Sequence, residues 1–560
     1  MRCLTRQSQE SGTLSSYKSL LHPLLAMLAL FISANPARAD VHCKVASPHE
    51  LSPAERAFLD YRMSEAESLY RDALVKSPHD AVQVAGLVRT LLREQKIDDA
   101  SATVAAELAA APNSVPLLVA DAEVQYRQGK VIEAAGTADQ AFRSDPCNAR
   151  LYLLRARIFR LNSMYASERR AIGFAHNLDP TDLDIRRVWL GTLPLTQRID
   201  QQKQLLASPD SVTGEEREKV EKGLKNLEFF ATLPPKSCHV ASTPTSTEIP
   251  LAPIESGGNS RHIASWGLHV QFNNTEATLA VDTGASGLLI NRAIAERAGL
   301  KAGARGQVFG VGDQGPQGAY RAQADSIRIG SLEFKDCTVE VTDRKDILGM
   351  DGVVGTDVFS SYLITLDYPM RKFFLTPLPP RPSDSEIAAG GLNTGGAELS
   401  QDLAASGPST EPQDRYISPS MKDYFPVFRS GHFLIVPVVL NGKQSRLFMV
   451  DTGAFSTAIS PDAARAVTKV HGGGAGLVKG LSGDVAKVSF SEAINFRFAG
   501  IEQQNNDLFT FDTSGISRSA GVEVSGFLGS TLLRQLTISI DYRDGLVKFD
   551  YDPRHGNHNF

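Results

Sequence analysis

A tripeptide that carries one carboxyl group occurs twice in this chain, each time at the end of an apolar run. The first copy, Asp282-Thr283-Gly284, follows Leu279-Ala280-Val281, and the second, Asp451-Thr452-Gly453, follows Phe448-Met449-Val450. The Asp offers an acid–base group, the Thr a hydroxyl on a stiff side chain, and the Gly a sharp turn that another segment can approach. Because each preceding run is apolar, each Asp is expected at the floor of a folded unit.

The two tripeptides stand inside two longer segments that repeat one another. In both, an alternating strand and a turn precede the Asp, a Gly-rich hairpin follows it, and an apolar-apolar-Gly motif comes later. That Gly is Gly355 in the first copy and Gly529 in the second, 73 and 78 residues after the respective Asp. An Asp-Tyr pair follows 12 residues further on in both copies, at Asp367 and Asp541. The chain therefore contains an internal duplication, and residues 261–378 and 428–555 are predicted to be β-rich.

Each copy resembles a lobe of the retropepsin-like aspartic proteases of bacterial exported proteins. The resemblance is carried by Asp282-Thr283-Gly284-Ala285 with Val353-Val354-Gly355, and by Asp451-Thr452-Gly453-Ala454 with Phe527-Leu528-Gly529. It implies two all-β lobes that face each other, an endopeptidase that needs no metal and no organic cofactor, and a peptide or protein substrate. The catalytic residues it implies are Asp282 and Asp451, and the residues implied to support the active-site loops are Thr283, Gly284, Thr452, Gly453, Gly355 and Gly529.

The same resemblance implies two flaps that close over an extended peptide bound as an added strand. Gly310, Gly312 and Gly315 are expected in the first flap, and Gly473, Gly474 and Gly483 in the second. Two carboxyl groups about 3 Å apart cannot both ionise, so such a pair shares one proton. The ionised Asp would take a proton from water, and the protonated Asp would polarise the scissile carbonyl.

Two departures from a symmetric, pepsin-like pattern are visible. The residue three positions after each Asp is Ala285 or Ala454, where pepsin-like enzymes have Ser or Thr. One fewer hydroxyl near the ionised carboxylate leaves its pKa higher, so we predict a less acidic pH optimum than that of pepsin-like enzymes. Phe455 stands where the first copy has Ser286, which, with the unequal flaps, indicates that the two lobes have diverged.

Residues 48–232 show a different, helical pattern with a fixed period. Pro78, Pro112, Pro146 and Pro180 are each 34 residues apart, and Ala66, Ala100 and Ala134 lie 12 residues before the first three of them. This register resembles the tetratricopeptide repeat (TPR), in which small residues allow two helices to cross closely and Pro ends the second helix. The fold class is therefore multidomain, with an all-α TPR-like solenoid before two all-β lobes. Docking of a substrate or protein partner and passive bracing of the next domain both remain open as its role.

The remaining segments are predicted to be a signal and two linkers. Residues 1–39 combine Arg2, Arg6 and Lys18, an apolar run from Leu20 to Ile32 and an Ala37-Arg38-Ala39 cleavage site, which indicates an exported, periplasmic or secreted protein. Residues 240–260 and 379–427 are rich in Ser, Thr, Pro and Gly, and the second of these linkers is expected to be disordered. Cys43 and Cys238 occur in similar contexts, so a disulfide between them is conceivable in an oxidising compartment.

Composition restricts the partners. A formal net charge of -5 gives no electrostatic reason to expect nucleic acid or an anionic membrane surface, and no later apolar run is long enough to span a membrane. Three hypotheses remain: one catalytic site formed by Asp282 and Asp451 within a single chain, sites formed by pairing lobes of different chains, and a non-catalytic peptide-binding scaffold.

Overall fold

A computed structural model of the chain describes residues 43–45, 51–207, 212, 214–232, 239–242, 246–255, 263–344, 347, 349–382, 413–473 and 478–553. The predicted signal segment lies outside these residues, and so does Cys238. Cys43, Cys147 and Cys337 are disulfide-bonded, whereas a bond between Cys43 and Cys238 stays a prediction. Within the described part of the chain, no helix is both long and apolar enough to cross a bilayer.

The first part of the described chain is all helical, from Pro53 to Thr232. Its helices are α1 Pro53–Leu59, α2 Met63–Lys76, α3 Ala81–Arg93, α4 Ile97–Ala110, α5 Val115–Arg127, α6 Val131–Ser144, α7 Ala149–Leu161, α8 Tyr165–Leu178, α9 Leu183–Thr192, α10 Leu195–Ala207 and α11 Gly214–Thr232.

These helices repeat with the period that the prolines predicted. Helices α2, α4, α6 and α8 begin at residues 63, 97, 131 and 165, and α3, α5, α7 and α9 begin at 81, 115, 149 and 183, so both series advance by 34 residues. The predicted small residues Ala66, Ala100 and Ala134 are all fully buried, at 0% exposure. The predicted TPR-like solenoid is therefore the observed architecture.

The turns that join α1 to α2, α3 to α4, α5 to α6 and α7 to α8 share one conformation. Each places a residue with positive φ at the same position of the repeat: Tyr61, Gln95, Gly129 and Ser163. Gly129 cannot be replaced without strain, because a Cβ atom there would lie 2.9 Å from the carbonyl oxygen of Glu523 in the last lobe. This turn is thus a point of close contact between the solenoid and the second lobe.

A network of ion pairs connects the helices α3, α5, α7 and α9. Arg150 binds Glu123 at 2.9 Å and Asp182 at 2.6 Å, and Arg93 pairs with Asp184. The turn residue Tyr61 then meets the far end of the solenoid: Arg187 of α9 donates to its hydroxyl, and Lys219 of α11 lies 3.2 Å from its ring centroid. The first and last helices of the solenoid are therefore tied together across its charged face.

The two β-rich lobes follow. The strands of the first lobe are β1 His239–Val240, β2 Thr247–Pro250, β3 Ala252–Glu255, β4 Ile263–Phe272, β5 Thr275–Asp282, β6 Leu288–Asn291, β7 Lys301–Val308, β8 Gln317–Ile329, β9 Leu332–Thr342, β10 Gly352–Gly355, β11 Tyr362–Asp367 and β12 Lys372–Pro377, with helix α12 Arg292–Arg297.

The strands of the second lobe are β13 Phe425–Pro426, β14 Phe428–Ser430, β15 Phe433–Leu440, β16 Gln444–Val450, β17 Ala458–Ile459, β18 Val470–His471, β19 Lys479–Gly480, β20 Gly483–Asp484, β21 Ser489–Ser491, β22 Ile494–Phe498, β23 Ile501–Asn505, β24 Leu508–Thr510, β25 Gly526–Leu528, β26 Thr537–Asp541 and β27 Leu546–Asp550. Its helices are α13 Pro461–Arg465, α14 Ser514–Ala520 and α15 Ser530–Leu533.

A six-stranded sheet joins the lobes, in the order β13-β27-β26-β11-β12-β2. At its centre β11 of the first lobe pairs antiparallel with β26 of the second, with Ile364 opposite Ile540. Both residues are fully buried, and a single cluster of buried apolar side chains extends through both lobes. The two lobes of one chain therefore form one structural unit.

Both predicted linkers are partly folded. Strands β2 and β3 lie within residues 240–260, where β2 pairs with β12 and β3 with β4. The prediction missed these strands because each has only four residues and lies in a segment rich in Thr, Pro and Ser. The strands are stabilised by the side chains of Ile249 and Ile254, which are buried. Residues 413–427 of the second linker are also ordered, and residues 383–412 lie outside the described part of the chain.

The start of this ordered segment attaches the solenoid to the second lobe. The Asp414 carboxylate accepts hydrogen bonds from the Ser167 N–H at 2.9 Å and the Ser167 hydroxyl at 2.7 Å, in the first turn of α8, where anions are favoured. Two residues later, the Tyr416 N–H donates to Asp544 of the second lobe at 2.8 Å. In addition, the Glu523 N–H donates to the Arg127 carbonyl at 2.8 Å.

One buried carboxyl group of the sheet between the lobes gives a pH-dependent prediction. Asp541 is 0% exposed, its Oδ2 has no hydrogen-bond partner, and burial, followed by the charge of Asp544, raises its pKa to about 6. In the unfolded chain an Asp titrates near 4. Below about pH 4 the Asp541 carboxyl group is protonated in both the folded and the unfolded chain, so it does not lower the free energy of unfolding. As the pH rises it lowers the free energy of unfolding increasingly, and this loss is complete above about pH 6.

We therefore expect Asp541→Asn to raise the free energy of unfolding at pH 7.5 by about 1–3 kcal/mol and to leave it unchanged at pH 3.5. Urea denaturation at the two pH values measures the difference. The matched control is Asp367→Asn, at the corresponding position of the first lobe, where the carboxylate accepts from the Met370 N–H at 2.9 Å. An equal gain from Asp541→Asn at both pH values would contradict the prediction.

Candidate active site

Asp282 and Asp451 occupy equivalent places in their lobes. Asp282 ends β5, and the neighbouring parallel strand β10 puts Gly355 directly opposite it. Asp451 follows β16, which is parallel to β25, and its N–H donates to the Leu528 carbonyl at 3.0 Å. The apolar strand before each Asp is buried in its lobe, so each carboxyl group emerges from a rigid floor, as the apolar runs predicted.

The structure brings the two carboxyl groups into hydrogen-bonding contact with one another. Each also lies against the Gly of the opposite tripeptide. A Cβ atom on Gly453 would be 2.3 Å from Asp282 Oδ2, closer than side chains tolerate, and one on Gly284 would make a tight contact of 3.0 Å with Asp451 Cγ. The Gly of each tripeptide is therefore required because the partner carboxyl group occupies that space.

Burial raises the pKa of both carboxyl groups. For Asp282 the rise is opposed by the Gly284 N–H, which donates to its Oδ1 at 2.6 Å. For Asp451 the charge of Asp282 adds to burial and raises the pKa well above the ordinary value, against the Ala454 N–H, which donates at 2.9 Å. The pair therefore holds one proton over a range of pH in which an exposed Asp would be ionised.

The two threonines bind each other's loops reciprocally. The Thr283 hydroxyl donates to the Val450 carbonyl at 2.6 Å and accepts from the Thr452 N–H at 3.1 Å. The Thr452 hydroxyl donates to the Val281 carbonyl at 2.9 Å and accepts from the Thr283 N–H at 3.0 Å. Thr283 and Thr452 are 0% and 2% exposed, so these four bonds form out of contact with water and fix the separation of the two loops.

Three residues that sequence reasoning did not assign to the site support it. The hydroxyl of Tyr368 is hydrogen-bonded to Thr452, and that of Tyr542 lies 2.6 Å from Thr356 Oγ1. Their place in the Asp-Tyr pairs was the available signal. His432, from the turn before β15, donates from Nε2 to the Gly284 carbonyl at 3.0 Å, and its charge favours the ionised form of Asp282. Sequence reasoning did not single out His432, because one histidine before a strand carries no pattern that indicates a site.

The two predicted supporting glycines bind their own loops in different ways. The Gly355 N–H donates to the Gly287 carbonyl at 2.8 Å, while the Gly529 N–H donates to the Thr457 hydroxyl at 3.0 Å. Neither position has room for a side chain: a Cβ atom on Gly355 would lie 2.5 Å from the Ala285 carbonyl oxygen, and one on Gly529 would lie 2.3 Å from the Ser456 carbonyl carbon.

The two flap hairpins meet tip to tip. Ser482, in the turn between β19 and β20, is 2% exposed and sits in the loop between β7 and β8. Its N–H donates to the Val311 carbonyl at 3.0 Å, its carbonyl accepts from the Gln314 N–H at 2.9 Å, and its hydroxyl accepts from the Gly310 N–H at 3.2 Å. The tip of the second flap is therefore enclosed by the first.

The six predicted flap glycines divide accordingly. Gly310, Gly312 and Gly483 lie at the contact between the flaps, and Gly315 lies in the loop of the first flap, where an added Cβ atom would meet nothing within 4 Å. Gly473 precedes the β19–β20 hairpin, and a Cβ atom there would lie 3.4 Å from the Val488 carbonyl oxygen. The hairpin turns instead at Gly483, whose φ of +92° a side chain would strain. Gly474 lies outside the described residues.

The reciprocal threonine contact gives a direct test. Thr283→Val keeps the shape of the side chain but leaves the Val450 carbonyl and the Thr452 N–H unpaired in a buried place, so we expect a loss of about 2–5 kcal/mol in the free energy of unfolding. Thr283→Ser keeps the hydroxyl and should cost about 1 kcal/mol or less. Chemical denaturation compares the two variants, and equal losses would show that the hydroxyl is not what holds the loops.

The comparisons with known proteins agree with the division of the chain into lobes. Residues 268–358 and 436–532 both match the family model for aspartyl proteases. Among solved structures, a thermophilic TPR protein of Thermus thermophilus matches 31% of this chain and 95% of its own, at 17% identity and a TM-score of 0.26. The aspartic proteinase of Irpex lacteus matches 56% of this chain and 98% of its own, at 12% identity and a TM-score of 0.32.

No curated protein sequence matches the chain. The family model matches each lobe separately and includes Asp282, Asp451 and the later glycines Gly355 and Gly529. Each of the two β lobes is therefore similar to the aspartyl protease family over most of its length.

Proposed function

We propose that this chain is an exported aspartic endopeptidase whose one active site is formed by Asp282 and Asp451 of the same chain. The observation that supports it most is the contact between the two carboxyl groups at the junction of two lobes similar to that family. Burial, the reciprocal threonine bonds and the shared β sheet hold them there without a second chain. Pairing of lobes between chains would have to break β11 from β26.

The proposed reaction divides the two roles between the carboxyl groups. Asp282, the carboxylate, takes a proton from a water molecule as its oxygen attacks the scissile carbonyl carbon, while Asp451 gives its proton to the carbonyl oxygen. In the tetrahedral product a hydroxyl proton passes to one carboxyl group and the other carboxyl group protonates the amide nitrogen. The C–N bond then breaks and the pair again holds one proton.

Two further features support the export part of the proposal. The N-terminal residues have the charge, apolar run and cleavage site of a signal peptide. Three described cysteines, Cys43, Cys147 and Cys337, are disulfide-bonded, and disulfides persist in oxidising compartments outside the cytosol.

For the solenoid we propose a bracing role first. It contacts the second lobe through Asp414, Gly129 and the Arg127 carbonyl, and much of its charged face is engaged in its own ion pairs. Docking of a protein partner or substrate on the repeats is the second proposal. Binding partners that are captured by the full chain and lost on charge reversal of exposed repeat residues would favour docking over bracing.

Separate Asp282→Asn and Asp451→Asn variants test the site. Each should lower kcat/KM for peptide cleavage by at least about 10³-fold, because each removes one member of an acid–base pair that acts as a unit. A proteome-derived peptide library, read by mass spectrometry with and without a transition-state-mimicking aspartic protease inhibitor, supplies the substrates.

Mixing the two variants should restore nothing, because each chain carries only one intact carboxyl group of its own site. Recovered cleavage in the mixture would instead mean that lobes pair between chains. If the wild-type chain cleaves no peptide of the library at any pH, the proposal of an enzyme fails and a peptide-binding scaffold replaces it.

The pH profile is a further test. Activity requires Asp282 ionised and Asp451 protonated, and burial raises the pKa of both. We therefore expect a bell-shaped dependence of kcat/KM on pH, with both limbs above the range of ordinary carboxyl groups, about pH 4. A sharp maximum well below pH 3 would contradict it, and the absence of a falling limb would show that no proton on Asp451 is needed.

A further inference from the structure

The two loops that carry Asp282 and Asp451, the dyad, differ at two nearby positions. Four residues after the Asp, the first lobe has Ser286 and the second has Phe455. Two residues after the later Gly, the first lobe has Asp357 and the second has Thr531. The duplication thus preserved the carboxyl pair and the threonines while the residues beside them changed in polarity and charge.

The side of the first lobe carries a negative charge. The Asp357 carboxylate accepts from the Ser286 hydroxyl at 2.7 Å through Oδ2 and from the Gly287 N–H at 2.9 Å through Oδ1. These bonds fix the carboxylate beside the catalytic loop. Among the described residues no cationic side chain forms an ion pair with this half-buried carboxyl group, and each of its oxygens accepts one hydrogen bond, so each can accept another.

The side of the second lobe carries an aromatic surface. The Phe455 side chain is 55% exposed, although it follows Asp451 by only four residues. Arg534 lies with its guanidinium carbon 5.4 Å from the ring centroid, and its own position is fixed by a hydrogen bond to the Ile263 carbonyl at 3.2 Å. A buried cation behind an aromatic ring holds the ring still by cation–π attraction and leaves the rest of it to solvent.

An extended peptide whose scissile bond lies at the dyad would run past the catalytic loops of both lobes, since each lobe supplies one Asp. Given the proposed function, on which this step rests, we infer that the substrates have a basic side chain on the side of Asp357 and an apolar, preferably aromatic, side chain on the side of Phe455. A Lys or Arg would pair with the unpaired carboxylate, and a Phe, Tyr or Leu would cover the exposed ring. Asp357 and Phe455 are then the specificity-determining residues of the two sides.

The test uses matched peptides that differ only at one residue on each side of the scissile bond. The first peptide has Phe on one side and Arg on the other, and the second has the reverse order. Two further versions replace Arg by Gln or Phe by Ala. The wild-type chain should cleave one order at least about tenfold faster in kcat/KM than the other. In the wild-type chain, kcat/KM should be about tenfold higher for Arg than for Gln and about tenfold higher for Phe than for Ala. Asp357→Asn should remove the first difference, and Phe455→Ser should remove the second.

Two control variants change similar groups away from the site. Asp325→Asn removes an exposed carboxylate of the first lobe, and Met370→Ser removes a side chain that is 51% exposed. Neither should alter the ratio of rates for Arg over Gln or Phe over Ala. Loss of either preference in a control would mean that overall charge or stability, and not the position beside the dyad, determines it.

Binding separates this inference from the proposed function. The Asp282→Asn variant of the full chain is titrated with the same fluorescent peptides, and it should bind the preferred order more tightly by about the same factor. Discrimination in binding without cleavage by the wild-type chain would overturn the proposed catalysis and keep the inference. Equal binding and equal cleavage of all matched peptides would overturn the inference and keep the catalysis.

Discussion

The structure of the site depends on the close approach of two buried carboxyl groups. Two negative charges in contact would repel strongly where little water screens them, so the arrangement is stable only when one proton lies between them. The surrounding contacts follow from that constraint. The glycines leave the space for the carboxyl groups, the N–H groups of Gly284 and Ala454 direct donors at them, and the threonines hold the loops together against any tendency to separate.

The duplication gives this constraint a simple origin and also explains the asymmetry around it. Two copies of one lobe can present the same tripeptide to each other across a pseudo-twofold axis, and the reciprocal bonds of Thr283 and Thr452 keep that symmetry. Outside the tripeptides the second lobe contributes His432, which donates to the Gly284 carbonyl of the first lobe, and Arg534 behind Phe455. Because a peptide has a direction and unlike side chains, a site with two different sides can recognise more than a symmetric one.

Much of the fold could be predicted from the sequence because its signals are local and repeated. The 34-residue spacing of the prolines gave the helix starts, and the apolar runs before each Asp gave the strands that hold the carboxyl groups. Strands β2 and β3 escaped prediction because the burial of Ile249 and Ile254 against distant strands decides them, and four residues carry no period. In the second flap, Gly473, Gly474 and Gly483 were all predicted from composition, whereas the tertiary contact of Ser482 with the first flap determines where the hairpin turns. His432 was invisible because a single contact across the lobe junction leaves no pattern in the chain.

The sheet between the lobes has a consequence for the covalent path of the chain. The first and second lobes associate through the main-chain ladder of β11 with β26 and the threonine bonds, and residues from 413 onward are anchored to the solenoid and the second lobe by their own contacts. The covalent connection between residues 382 and 413 therefore acts mainly by raising the effective concentration of one lobe near the other, since it keeps the two lobes together during folding. Once folded, a chain nicked in that interval would keep both carboxyl groups in place as a two-chain protein, and the same fold is open to assembly from two separately made polypeptides.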